Sequence, residues 1–598
     1  LDGAIVNSER LIRYGSIPEE ERKLAENLIW WNGEDPIGDF ANHFRERRVQ
    51  TTTIDRKSIP INQRIANCII EGTKEGLMED LDDLLNTMKP LEIINGPLMD
   101  GMDEVGRLFG RNELIVAEVL QSAEAMKAAV TQLEPYMDKD DTGGRGKIVL
   151  ATVKGDVHDI GKNLVEIILS NNGYKVINLG IKIPPQELIE AYTEHKPDII
   201  GLSGLLVKSA QMMVDTVKDF NNAGIDIPVL VGGAALTNRF TRLRISPEYQ
   251  GMVVYAKDAM NGLDLAGILV KEDEREKLAE ELVLESQRLQ KDQLVKEQTR
   301  KDAINNKSSR VAVRQLDKSL APPDLKLHII KGYNLAEVFS YINPVMLFNR
   351  HLGFKGKFEQ ALSDRDSKAL KLQESVKEAE DIIFSNSYIS ANAVYKFFKA
   401  ASEGDDVVIL DSEGLKVLER FRFGRQSSGD GLCLSDYLFS RDLGKPDYIG
   451  MFVTTIGPDV RTLADKLKSE GNYLASHIVQ VLALEGAEAF AELLHQKMRN
   501  MWGISDPEGI TNKDMFQGRY HGKRYSFGYP ACPRLEDQGQ LWNLLEPGQN
   551  INVHLTDGFM MDPEGSVSAL VFHHPEAKYF NLSSEDIKLL ELRLNSNK

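Results

Sequence analysis

The sequence predicts a multidomain chain: a helical bundle, then a doubly wound parallel α/β domain, then an α+β domain. Three observations carry this. The 598 residues exceed what a single hydrophobic core organises. Apolar spacing is helical up to about Tyr136 and changes after the break Gly143-Gly144-Arg145-Gly146. Short apolar runs then alternate with helical stretches until a charged helix and a Pro322-Pro323 pair introduce new territory.

Residues 1–55 are a charged, mixed lead-in segment with a Trp30-Trp31 pair and a break at Gly33-Glu34-Asp35-Pro36. Residues 56–142 read as a bundle of about four helices. Ile65, Ile69 and Ile70, then Leu77, Leu81, Leu84 and Leu85, then Val116, Val119, Leu120, Ala123, Met126 and Val130 fall at helical spacing. Pro90 and Pro97 stand near helix starts. Residues 143–270 carry the strands, read at Lys147–Val153, Val176–Gly180, Asp198–Ser203, Pro228–Gly233 and Met252–Tyr255. Alternating β and α in this way gives a parallel sheet covered on both faces, in flavodoxin-like strand order. Residues 271–323 are a solvated helix, Glu272 to Asp302, and a linker from Ser308 to Pro323; residues 324–598 form the α+β domain.

The totals exclude several functions. At 42% hydrophobic and 27% charged the composition is that of a soluble globular protein. A net charge of −18 argues against general nucleic-acid or anionic-membrane binding. No apolar run is long enough to span a bilayer. Cys68, Cys433 and Cys532 lie too far apart for a disulfide framework or zinc cluster, so a cytoplasmic protein is expected. The first residues show no signal peptide, and a start at Leu1 points to a piece of something longer.

In an open α/β sheet ligands sit beyond the carboxyl ends of the strands. Asp156-Val157-His158-Asp159-Ile160-Gly161 follows the first strand and opens a helix. Asp156 stands two residues before His158, where a carboxylate on the far ring nitrogen fixes the tautomer and raises ligand basicity. Gly155 and Gly161 bracket the loop. Gly201-Leu202-Ser203-Gly204-Leu205 and Gly232-Gly233-Ala234-Ala235 end the third and fourth strands. Each glycine alone fits tight helix–sheet packing as well; the set favours a trough for an elongated ligand.

Asp-x-His-x-x-Gly, then Ser-Gly-Leu, then Gly-Gly resembles cobalamin-binding domains in which a histidine replaces the cofactor's own base on cobalt. The run Ala151 to Asn163 resembles the family of cobalamin-dependent methionine synthases. The resemblance implies that His158 is the ligand to cobalt, hydrogen-bonded to Asp156 and through it to Ser209. It implies that Asp159, Gly161, Ser203, Gly204, Leu205, Gly232, Gly233 and Ala234 contact the cofactor. The family's Thr-Pro before the triad serine is Val207-Lys208 here. The helical region resembles a cap, with Phe109 and Val116 at methyl-shielding positions; ordinary bundle core is the other reading.

Arg519 to Pro533 reads as a loop, because Pro530 and Pro533 disfavour regular structure. Its Arg-x-x-x-Gly-Tyr-Pro-Ala-Cys-Pro stretch resembles the family's reactivation domain. That implies S-adenosylmethionine binding by Arg524, Ser526 and Tyr529, with Asn343 where the family has an aspartate. The resemblance further implies a methyltransferase that carries methylcobalamin between methyl-tetrahydrofolate and homocysteine and remethylates oxidised cobalamin with S-adenosylmethionine. Its partners would be flavodoxin or a similar electron donor and the folate and homocysteine barrels. Zinc belongs to the latter, and Val6-Asn7-Ser8 resembles the folate barrel's tail. A monomer with no nucleic-acid or membrane partner is expected. The rival readings are a stand-alone corrinoid protein of another methyltransferase system, a mutase subunit and a cobalamin-sensing regulator.

Overall fold

The structure, a computed structural model, describes residues 19–30, 59–111, 113–136, 145–302, 313–314, 316–386, 389–457 and 459–595. The expectations placed on Val6-Asn7-Ser8, Trp31, Gly33–Pro36 and Gly143-Gly144 lie outside those residues. The chain forms two compact units, residues 1–65 and 66–598. The first holds the helix Glu19–Trp30 and the start of the helix Ile61–Glu71, where Arg64 Nη1 donates to the Ile59 carbonyl at 3.2 Å.

The second unit opens with helices at Leu77–Leu85, Met99–Gly110 and Val116–Leu133. Their buried residues include Leu77, Leu81, Leu84, Met102, Val105, Val119 and Met126. Pro90 occupies the first turn of the short helix Pro90–Ile93, where its missing N–H costs nothing. Pro97 lies in the π-helical stretch Ile94–Leu98 that leads into Met99–Gly110.

The α/β domain has five parallel strands: β1 (Gly146–Thr152), β2 (Tyr174–Asn178), β3 (Ile199–Ser203), β4 (Val229–Gly232) and β5 (Val253–Ala256). Their order is β2-β1-β3-β4-β5. Ile148, Val149, Ile199, Ile200, Val229 and Val231 are all fully buried, as parallel strands covered on both faces require. Val149 pairs with Ile177 on one side and Ile200 on the other. The strand order reverses at β1/β3, so the loops after these two strands diverge and leave a crevice between them.

The α+β domain is built on an antiparallel sheet. Its strands are β6 (His328–Tyr333), β7 (Ala391–Glu403), β8 (Asp406–Leu410), β9 (Val417–Arg422), β10 (Asp447–Thr455), β11 (Lys523–Tyr525) and β12 (Ser566–Phe572). The order is β11-β12-β10-β7-β8-β9, with β6 also on β7. The 29-residue helix Tyr473–Met501 crosses β10 and β12. A Cβ at Gly486 would stand 2.9 Å from Phe339, so this helix seats closely only because that residue is glycine.

Two expectations are corrected. Arg519–Pro533 is not all loop: Lys523–Tyr525 forms β11, with Arg524 opposite Val571. The prolines act only downstream of it. The end of the expected linker is fastened to the α+β domain. Ser319 Oγ donates to Asp447 Oδ1 at 2.5 Å, and Trp502 Nε1 donates to the Leu320 carbonyl at 2.8 Å.

The α+β domain lies across the carboxyl ends of the parallel strands. Thr556 Oγ1 donates to the Gly155 carbonyl at 2.7 Å, Lys182 pairs with Asp562, and Lys468 pairs with Glu166 at 3.1 Å. Partly exposed ion pairs such as the last two are worth about 1 kcal/mol or less each. The larger contribution is apolar: Ile115, Ala117, Leu120 and Ala123 share one core with Phe339, Leu482 and Phe490.

Candidate functional site

The loop after β1 carries a buried carboxylate with every oxygen in use. Asp156 is fully buried. Its Oδ1 accepts from His158 Nδ1 at 2.6 Å and from the His158 N–H at 2.9 Å. Its Oδ2 accepts from Ser209 Oγ at 2.5 Å and from the Leu205 N–H at 2.8 Å. Ser209 comes from the helix Val207–Asn222 and Leu205 from the loop after β3, so one carboxylate ties together both loops at the switch point. With Nδ1 committed to Asp156, the His158 ring has only Nε2 left for a ligand.

That ring faces a cavity of about 1080 Å³. From the α/β domain it is lined by His158, Gly161, Ser203, Gly204, Leu205, Gly233 and Ala234. An added Cβ at Gly161, in the first turn of the helix Ile160–Asn171, would meet nothing within 4 Å, so that turn leaves room for a ligand. Gly233 has φ +139°, and a Cβ on it would stand 1.8 Å from the Gly204 carbonyl oxygen. The loops after β3 and β4 are thus in backbone contact, with no side chain between them. Gly232 precedes this contact in β4, while Asp159 lines a smaller adjoining cavity of about 50 Å³.

The α+β domain supplies the other wall. Asn343, Arg524, Ser526 and Tyr529, far apart in sequence, all line the same cavity as His158. Ser526 is held by its carbonyl, which accepts from Cys532 Sγ at 2.9 Å. Arg524 Nη2 donates to Glu488 Oε2 at 3.3 Å and to Glu492 Oε2 at 3.5 Å. Burial opposes the guanidinium's charge, but these two carboxylates outweigh it and its pKa is raised.

Phe109 and Val116 are not among the residues lining this cavity. Val116 instead lies against Gly353 of the α+β domain, whose added Cβ would come within 3.3 Å of its backbone nitrogen. The α+β domain forms the wall opposite His158, and the helix Val116–Leu133 packs into that domain's core.

The electrostatics follow from burial and charge. Desolvation opposes protonation of His158, but the Asp156 hydrogen bond and the charges of Glu564, Asp156 and Asp159 outweigh it and raise its pKa. Desolvation also opposes ionisation of Asp156, yet the bonds from His158 and Ser209 hold its pKa below the usual carboxylate range. Glu564, which lines both cavities, is pushed up to about 7, chiefly by burial.

His477 gives a pH prediction. It is 8% exposed, and burial pushes its pKa down to about 4 from 6.5. A depressed folded value for a base means its neutral form is favoured in the fold. Its contribution is intact above the unfolded value and is lost as pH falls from about 6.5 toward 4, at up to about 1.4 kcal/mol per pH unit. The thermal midpoint of His477→Gln should therefore fall less steeply than wild type across that window. Parallel curves would contradict this.

Sequence reasoning missed Glu488 and Glu492, although four-residue spacing on a helix puts both on one face. It also missed Glu564, for which no local signal exists.

Comparison with known proteins follows this geometry. Residues 61–134 and residues 146–264 each match a family described as B12 binding domain. Residues 334–587 match the vitamin B12 dependent methionine synthase activation domain. A methionine synthase of Mycobacterium tuberculosis (strain ATCC 25618 / H37Rv) is 36% identical over 619 residues, covering 97% of this chain and 52% of the relative. One from Mycobacterium leprae (strain TN) is 36% identical over 626 residues, with the same coverage. The chain spans about half the length of the curated relatives it matches. A crystal structure of the MetH reactivation domain bound to AdoHcy is 28% identical with a TM-score of 0.44, covering 46% of this chain and 88% of that one. Among the described residues no helix is long and apolar enough to cross a membrane.

Proposed function

The chain belongs to the family of vitamin B12 dependent methionine synthases, and from that we propose that it holds cobalamin as a methyl carrier and restores it with S-adenosylmethionine. The carrier step would serve methionine synthesis, taking the methyl from methyl-tetrahydrofolate and delivering it to homocysteine. The restoring step would need an electron donor such as flavodoxin.

One observation carries the reading: His158 and the set Asn343, Arg524, Ser526 and Tyr529 face a single cavity. His158 Nε2 would ligate the cobalt, with Gly161, Ser203, Gly204, Leu205, Gly233 and Ala234 bracketing the cofactor. When bound, cobalamin supplies a metal centre that accepts and gives up a methyl group. Asp156 orients the imidazole, and Ser209 and the Leu205 N–H keep that carboxylate in place. The Asp156–His158 pair is closely bonded and its carboxylate is fully buried, so it would hold a proton whenever Nε2 carries no metal. Arg524 would receive the carboxylate of S-adenosylmethionine, an ion pairing that the guanidinium fork suits. The α+β domain forms the second wall of the cavity and would reduce water at a bound cofactor.

A stand-alone corrinoid carrier for another methyltransferase would leave the Arg524 wall without a task. The test is transfer of label from S-[methyl-14C]adenosylmethionine to the protein-bound corrinoid, using the whole chain loaded with cobalamin and a chemical reductant. Label on the corrinoid is the expected result. A corrinoid that stays unlabelled while the protein binds both ligands overturns the restoring activity.

A further inference from the structure

The cavity wall around Arg524 contains a carboxylate oxygen with nothing to hold. Glu492 is 6% exposed and its Oε1 has no hydrogen-bond partner among the described residues. Its other oxygen, Oε2, accepts from Arg524 Nη2 at 3.5 Å. Leaving an acceptor buried and unpaired is costly, so such an atom in a ligand cavity marks a place where a donor belongs. The cavity's lining charges select the donor's sign. Glu485, Glu488, Glu492 and Glu564 line it against the two guanidiniums Arg350 and Arg524. Glu485 is taken by His351 at 2.9 Å, and Glu488 by Arg524.

Asn343 is poorly suited to a cation. It is neutral, and its Oδ1 already accepts from the Val345 N–H at 3.0 Å. In an amino acid the ammonium and carboxylate sit on the same carbon, so the groups that capture them must be neighbours. Arg524 and Glu492 are neighbours.

We propose that Glu492, through Oε1, receives the α-ammonium of the methyl donor whose carboxylate Arg524 receives, and so selects a zwitterionic amino-acid sulfonium. This rests on the reading that S-adenosylmethionine binds at the Arg524 wall.

The test is calorimetric titration of the whole chain with S-adenosylmethionine and with its analogue lacking the α-amino group. A charge-assisted hydrogen bond predicts that wild type prefers S-adenosylmethionine to the analogue by about tenfold or more. Glu492→Gln should lose that preference while binding the analogue as wild type does. Asn343→Ala should weaken S-adenosylmethionine by less than about threefold. Equal binding of the two ligands by wild type overturns the proposal without any variant, so it stays testable if Glu492→Gln folds poorly. A Glu492→Gln that weakens both ligands equally, or neither, also overturns it. So does a loss in Asn343→Ala as large as that in Glu492→Gln. Failure of wild type to bind either ligand overturns the underlying reading instead, and is recognised before any substitution is made.

Discussion

Gly233→Ala is expected to cost the α/β domain about 3 kcal/mol, a fall of roughly 10 °C in its thermal midpoint. The new Cβ would lie 1.8 Å from the Gly204 carbonyl oxygen, and the backbone at Gly233 has φ +139°, a region side chains avoid. The obstructing atom is backbone, so no rotamer change relieves the clash. The loops after β3 and β4 must part. Corrinoid uptake reads this directly, because a relaxed loop has to be driven back before the ligand is enclosed. Affinity should fall by up to about 100-fold. An alanine variant with wild-type melting and wild-type uptake would show that these loops are not in contact.

Asp156→Ala should have an effect of similar size and a different signature. It removes the acceptor for two backbone N–H groups, the buried Ser209 hydroxyl and the His158 ring. Stranding buried donors costs about 1–3 kcal/mol for each group that finds no water. The ring then loses its orientation, and loss of such a carboxylate typically weakens a metal–histidine bond by roughly 10–100-fold. The loaded variant should keep its corrinoid but show the visible bands of a form without a protein nitrogen on cobalt. Ser209→Ala, which leaves three of the four bonds, should shift the spectrum less. Equal shifts in the two variants would count against Asp156 as the group that steers the ring.

The two walls of the cavity differed in how far they could be read from the sequence. The parallel strands were legible because buried β-strands in an α/β sheet are short continuous apolar runs, and the run Lys147–Val153 overlaps β1 at Gly146–Thr152. Asp156 and His158 were legible because the chemistry that joins them is local, two residues apart. Arg524, Ser526 and Tyr529 were singled out by motif and line one cavity, but β11 within the same stretch was not anticipated. Its three residues pair only with β12, more than forty positions on, and nothing near them announces that partner. The seat of Val116 against Gly353 was illegible for a similar reason. An apolar stripe at helical spacing says that a face is covered; it does not say by which domain. Ser319 reads as linker until Asp447, 128 positions further along the chain, is brought beside it.

The central claim is a bond from cobalt to the Nε2 atom of His158. It is tested most directly by electron paramagnetic resonance of the cob(II)alamin-loaded chain, prepared once with natural-abundance nitrogen and once with 15N-labelled histidine. A single axial 14N nucleus splits each cobalt line into three, and 15N splits it into two. The expected result is triplets that become doublets on labelling and are absent in His158→Gly. Triplets that persist in the labelled protein would mean that the cofactor's own base, not this imidazole, sits on the metal.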